Sequence, residues 1–186
     1  MFTLRVDNEI ELNLFLPQQA GELFFLLDSN RHYLRTWLPW VDEILSPQQY
    51  QSIISMWLDQ FRNRISMNLA IRYRGTLVGS ISFNHFDWYN RQTSIGYYIA
   101  ENAQGKGIVS RAFTAMIQYA FSELGLNRIE VRCGEKNFKS RAIPERLGFT
   151  YEGCIRDGEN LNGRFHNLYV YSLLAREWKR ARVRKV

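Results

Sequence analysis

Cysteine is scarce in this chain: Cys133 and Cys154 are the only two in 186 residues. Two thiols make no disulfide framework, and their spacing matches no metal-ligand pattern. Both fall in strand-like segments and read as buried packing, so no metal is expected. No apolar run approaches 18 residues, which argues against a membrane-spanning helix. The start, Met1-Phe2-Thr3-Leu4-Arg5-Val6-Asp7, lacks the basic-then-apolar pattern of a secretory leader. A reduced, cytoplasmic protein is the expectation. There is no internal repeat, no linker and no second domain, so residues 1–178 read as one domain and 179–186 as a basic C-terminal tail. Oligomeric state is open, a homo-oligomer included.

What is present is globular in character. Hydrophobic residues make up 46% and aromatics 15% of the chain, too much for disorder. The net charge of +6 is concentrated at one end. From Arg176 onward six basic residues stand against Glu177, which accounts for five of the six charges. Basicity thus belongs to the end of the chain. Such a tail is either a solvated end or a contact for an acidic or ribosomal partner.

Hydrophobic period gives the elements. Phe2–Val6 and Ile10–Phe15 alternate about Asp7-Asn8-Glu9, a first hairpin. Pro17 opens a helix with Ala20, Leu23, Phe24 and Leu27 on one face. Asn30–Leu38 predicts a second short helix stopped by Pro39. Ser46 and Pro47 start a third as N-cap and first helical residue. Asn68–Tyr73, Leu77–Phe86 and Thr93–Ala100 form a three-strand meander, turning at Arg74-Gly75-Thr76 and Asp87–Arg91. Ile108 to Leu124 is an amphipathic helix ended by Gly125, followed by a strand, Arg128–Cys133, parallel to the previous one. A short helix from about Ser140 to Leu147 must start near Lys139 or Ser140, because Pro144 is awkward deep inside a helix. Phe149–Arg156 and Phe165–Ala175 close the chain as a hairpin around a polar loop, Asp157–Arg164. The class is α/β, with a mixed, mainly antiparallel sheet of about seven strands flanked by helices.

The informative stretch is the junction of the third meander strand with the amphipathic helix: Tyr97-Tyr98-Ile99-Ala100-Glu101-Asn102-Ala103-Gln104-Gly105-Lys106-Gly107-Ile108-Val109-Ser110. Free N–H groups at a helix N-terminus, with the positive end of its dipole, attract anions. Gly105 and Gly107 let an anion approach the backbone. A P-loop needs four residues between its glycines and Ser or Thr after the Lys, but Gly107 follows Lys106. A dinucleotide fingerprint needs a third glycine where Ser110 stands. Both nucleotide patterns fail.

The stretch resembles the acyl-CoA pyrophosphate loop of the GNAT acetyltransferase superfamily, [QR]-x-x-G-x-[GA]. Gln104 and Gly107 match, and Val109 departs from the last position. Glu135–Ser140, Glu145–Phe149 and Tyr151-Glu152-Gly153-Cys154 follow in the family's order. The resemblance is closest to the RimJ/RimL-type ribosomal-protein N-terminal acetyltransferases, YdaF-like members among them. It implies a GNAT-like fold and acetyl-CoA as co-substrate. It also implies a loop, Gln104, Gly105, Lys106, Gly107, Ile108, Val109 and Ser110, that seats the CoA pyrophosphate, with Lys106 and Arg111 adding charge or merely solvated. Tyr97, Tyr98 and Ile99 correspond to the strand that pairs with the pantetheine amides, and Asn137 to the residue that bonds the arm, although it also reads as an N-cap. Many members carry a tyrosine seven residues after this Asn to protonate the leaving thiolate; here that position is Pro144. Relatives of the RimL type use a serine three residues after the Asn, matched by Ser140, which is equally an N-cap hydroxyl. The same relatives use a loop glutamate as base, matched by Glu159; His85 is the alternative.

The implied reaction is direct acetyl transfer to an amine, favouring the N-terminal α-amine of a protein such as a ribosomal protein. An α-amine titrates near 7.7–8.0, so neutralising it at pH 7 costs about 1 kcal/mol, against about 4.6 for a lysine. A thiol near 8.5 leaves with little acid assistance, and a backbone N–H of a splayed strand could hold the oxyanion. A small-molecule amine acceptor and a non-catalytic acyl-CoA-binding or RNA-contacting module are the other readings. Trp37, Trp40, Trp88 and the Asp157–Arg164 loop are the expected cleft walls.

Overall fold

The computed structural model describes residues 2–178; the predicted basic tail, 179–186, lies outside them. Among the described residues eight strands form one sheet: β1 (Thr3–Arg5), β2 (Ile10–Leu14), β3 (Met67–Tyr73), β4 (Thr76–Asp87), β5 (Gln92–Ile99), β6 (Arg128–Gly134), β7 (Thr150–Leu161) and β8 (Arg164–Leu174). Their order is β1-β2-β3-β4-β5-β6-β8-β7. Every pairing is antiparallel except β5 with β6. That pair is joined through a helix, as a parallel crossover requires. The helices are α1 (Ala20–Ser29), α2 (Arg31–Leu34), α3 (Pro47–Arg62), α4 (Ile108–Ser122) and α5 (Phe138–Arg146).

Turn chemistry sets the register. Arg74 and Gly75 both have positive φ, 51° and 83°, the two-residue geometry whose twist matches a hairpin. Asn162 and Gly163, at 53° and 81°, repeat it between β7 and β8. Leu77 to Ile81 of β4 are buried at every position. Successive side chains point to opposite faces, so this strand is covered on both. The α4 stripe Ile108, Ala112, Phe113, Met116, Ile117 and Ala120 is fully buried, as its period predicts.

Three expectations change. The Asn30–Leu38 helix is only four residues long, Arg31–Leu34, and Pro39 begins a 3-10 turn, Pro39–Asp42, in place of merely ending a helix. The α5 helix starts at Phe138, so Pro144 lies past its first turn. The polar Asp157–Arg164 loop is mostly strand: β7 runs to Leu161 and only Asn162 and Gly163 turn. Asp and Gly disfavour strands, so the sequence reads as loop; pairing with β8 overrides that propensity.

Candidate active site

The site exists because β5 and β6 part company. They pair at Gln92↔Arg128, Thr93↔Ile129 and Ser94↔Glu130 and no further. Beyond that point β5 stays with β4 as far as Gly79↔Ile99, while β6 stays with β8 as far as Gly134↔Leu168. The wedge between them is a cavity of about 1090 Å³, at the large end for small-molecule sites. From Ile95 to Ile99 the β5 backbone has no strand partner on the wedge side. Its groups facing the cavity are free to bond an extended chain of amides.

At one end of the wedge is the glycine loop. Gly107 caps α4 in the left-handed conformation, φ 69° and ψ 8°. Gly105 is left-handed as well, φ 74°, and nothing lies within 4 Å of where a Cβ would stand on either. The α4 N-terminus is therefore open to an anion. Gln104, Gly105, Gly107, Ile108, Val109 and Ser110 all line the cavity, as do Tyr98, Ile99 and Asn137. Lys106 does not: its side chain is exposed and outside the lining. Arg111 is held by Asp7 at 2.8 Å and Glu9 at 3.0 Å. Two other cations stand by the loop, Lys139 and Arg146, and both line the cavity. Lys139 Nζ donates to Gln104 Oε1 at 3.0 Å and Arg146 Nη2 to Ser110 Oγ at 3.3 Å. Neither is legible in the sequence, because only the tertiary placement of α5 brings them to the loop.

At the centre stands Ser140. Its backbone N–H is capped by Asn137 Oδ1 at 3.2 Å, so Asn137 is an N-cap that also faces the cavity. Ser140 Oγ lies 3.2 Å from Tyr97 Oη and 3.3 Å from Cys133 Sγ. Burial pushes the Cys133 thiol above its ordinary range, consistent with the packing role expected of it. Cys154, expected to be buried too, is exposed.

The remaining walls come from β7 and from α2 with the residues after it; the α2 hydroxyl of Tyr33 accepts from Gln104 Nε2 of the glycine loop. Tyr33, Leu34, Trp37 and Leu38 line the cavity. Of the three tryptophans expected there, Trp37 alone lines the cavity. Trp40 packs edge-on against Tyr98, and Trp88 stacks on Phe86 with its indole N–H on the Arg64 carbonyl at 2.7 Å. Glu159 enters from β7. The β7–β8 register slips between Ile155↔Leu168 and Glu159↔His166, so extra β7 residues bulge out. Asp157 at φ 49° forms the bend, its N–H held by Asn167 Oδ1 at 2.9 Å. Bulges re-aim side chains, and this one sends Glu159 into the cavity. Among the described residues no donor reaches its carboxylate. Burial raises its pKa above the ordinary 4.5, opposed by nearby His166. His85 is exposed on β4 and does not line the cavity, so the alternative base has no access.

A cleft between splayed parallel strands, closed at one end by an anion-binding helix start, suits an acyl-CoA. A family model described as "Acetyltransferase (GNAT) domain" matches residues 10–150. The chain belongs to the GNAT acetyltransferase family. It is 41% identical over 180 residues to the "Putative ribosomal N-acetyltransferase YdaF" of Bacillus subtilis (strain 168), covering 96% of this chain and 98% of that one. Among solved structures it is similar to the RimL ribosomal L7/L12 alpha-N-protein acetyltransferase in complex with coenzyme A, where the CoA is joined by a disulfide to a cysteine of that enzyme. The TM-score is 0.90 and the identity 25%, over 93% of this chain and 98% of that one. It is also similar to the microcin C7 self-immunity acetyltransferase MccE in complex with acetyl-CoA and AMP, with TM-score 0.84 and 32% identity over 91% and 94%. As a GNAT enzyme the chain is an acetyl-CoA-dependent N-acetyltransferase. No described helix is long and apolar enough to cross a membrane.

Proposed function

We propose that the acceptor of this GNAT enzyme is the N-terminal α-amine of a protein, a ribosomal protein first among them. The observation that carries this is the unpaired, partly buried Glu159 carboxylate in the same cavity as Ser140 and the glycine loop. Desolvation makes Glu159 a stronger base than a surface carboxylate, enough to deprotonate an α-amine through a water but poorly matched to a lysine. The likeness to YdaF and RimL points the same way.

The reaction is direct transfer within one catalytic domain, residues 1–178. Acetyl-CoA supplies the thioester; its pyrophosphate lies on the loop Gln104–Ser110, its pantetheine arm along Tyr98–Ile99 and against Asn137, and Lys139 and Arg146 face its phosphates. Lys106 contributes its backbone at most. Neutral amine nitrogen forms the new C–N bond, the C–S bond breaks, and the sulfur takes a proton from Ser140 Oγ. Glu159 takes the proton the amine loses, and solvent returns one to the serine, so the net proton moves from amine to thiol. Free backbone N–H groups of Ile95–Ile99 are the candidate oxyanion donors. Cys133 lines the same cavity beside Ser140, which puts a thiol near the place assigned to the CoA sulfur.

A cytoplasmic setting fits this chemistry, and the tail would meet an acidic or ribosomal partner. A small amine acceptor is favoured only by the similarity to MccE. One panel separates the two: purified enzyme, labelled acetyl-CoA, and either unblocked peptides and ribosomal proteins or small amines, read by mass spectrometry. Label at protein N-termini is expected; label on small amines alone overturns the acceptor assignment.

A further inference from the structure

Pro144 leaves a backbone group without its helical partner. In an α-helix the carbonyl of residue 140 accepts from the N–H of residue 144, and proline has none. Pro144 lies well inside α5, so the rule applies in full. Tyr97, on the neighbouring strand β5, makes up the loss: its hydroxyl donates to the Ser140 carbonyl at 2.8 Å. The phenol oxygen also lies 3.2 Å from Ser140 Oγ. One side chain therefore holds both the backbone and the hydroxyl of Ser140.

The phenol is itself well fixed. Its ring meets Phe113 of α4 edge to face, with centroids 5.5 Å apart and planes at 85°. Phe113 is fully buried and packs in turn on Phe149. The strand that carries Tyr97 remains paired to β4 through Ile81↔Tyr97 after it has left β6. Burial holds the phenol well above its ordinary range, so it stays protonated and able to donate.

Counting hydrogens assigns the roles. A phenol has one O–H, and Tyr97 gives it to the carbonyl, so its oxygen is an acceptor toward Ser140. The Cys133 thiol, 3.3 Å from Ser140 Oγ, is the weak donor on the other side. The serine proton therefore rests on Tyr97 and is the one free to turn toward a negative sulfur in the cavity. We propose that Tyr97 is a positioning residue: it replaces the backbone donor that Pro144 removes and keeps the Ser140 hydroxyl aligned for the leaving thiolate. The proposal rests on the reading of Ser140 as the acid.

Five variants test it, Y97F, P144A, Y97F/P144A, S140A and Y97F/S140A, assayed on the acceptor found by the panel and by thermal melting. Y97F is expected to lower kcat about tenfold, the equivalent of one hydrogen bond, with the KM for acetyl-CoA unchanged, and to melt lower. Y97F/P144A should recover much of the melting loss, because alanine restores the N–H that Tyr97 replaces, but not the kcat loss, because nothing then accepts from Ser140 Oγ in place of the phenol oxygen. In an S140A background, Y97F should lower kcat no further. Full kcat in Y97F when S140A is impaired overturns the proposal. So does a Y97F/P144A enzyme that melts no higher than Y97F. Full kcat in S140A instead removes the underlying reading of Ser140; the melting rescue then still decides whether Tyr97 substitutes for the missing N–H.

Discussion

The Trp37 ring occupies the space a side chain at position 134 would need: a Cβ on Gly134 would lie 2.9 Å from Trp37 Cζ3 and 3.8 Å from Glu159 Oε2. The absence of a side chain on β6 thus lets an indole lie against the strand beside the proposed base. Gly134→Ala is expected to push Trp37 off this seat and disturb the acceptor end. A shift of that size should cost on the order of tenfold or more in kcat/KM for the acceptor, with acetyl-CoA affinity unchanged by calorimetry. Equal losses for both substrates would place Trp37 in general packing.

Glu159→Gln removes the proposed base while keeping shape. A fall in kcat on the order of a hundredfold is expected, with the KM for acetyl-CoA retained. In the wild type, kcat/KM should fall as the acceptor α-amine takes up its proton and fall more steeply where Glu159 does, at a pH above the ordinary 4.5. Retention of full kcat at pH 7 would exclude Glu159 as the base.

The same residue links activity to stability. A carboxyl with a raised folded-state pKa binds its proton more tightly folded than unfolded. Its contribution is therefore present below the ordinary value of 4.5 and lost as pH rises through the raised one. Glu159 should destabilise the enzyme at neutral pH. Melting at pH 7.5 is expected to show Glu159→Gln equal to or more stable than wild type; a clearly lower Tm would mean the carboxylate has a favourable partner.

At the other end of the wedge, Gly107 must be left-handed to start α4. Gly107→Ala has room for its Cβ but not a comfortable φ, and should cost about 1–2 kcal/mol of stability. Gly107→Glu adds a negative charge at the anion seat and should abolish CoA binding in calorimetry. Intact binding would move the pyrophosphate elsewhere.

Deleting Lys179–Val186 removes five basic residues and no described structure. CoA affinity and turnover of a short neutral peptide should be unchanged. The KM for an acidic protein acceptor should rise, and its dependence on salt should shrink. No change with any acceptor would make the tail a solvated end.

Local chemistry was enough to read much of this protein. The α4 stripe, Gly125 as its stop, the Arg74-Gly75 turn and the glycine loop are set by period and by backbone freedom, which a sequence carries directly. So was the fact that Pro144 excludes a tyrosine there. Tertiary structure decided what depends on register and on non-local packing. It gave β7 its full length and aimed Glu159 by a bulge that polar loop-like residues concealed. It turned Lys106 and Arg111 away from the cavity and brought Lys139 and Arg146 to the glycine loop, because the relation of α5 to that loop is not written in either segment alone. It separated Trp37 from Trp40 and Trp88, and it placed Tyr97 against the carbonyl that Pro144 leaves unpaired. Pairing across a sheet joins residues distant in sequence, and no local pattern specifies which of them will meet.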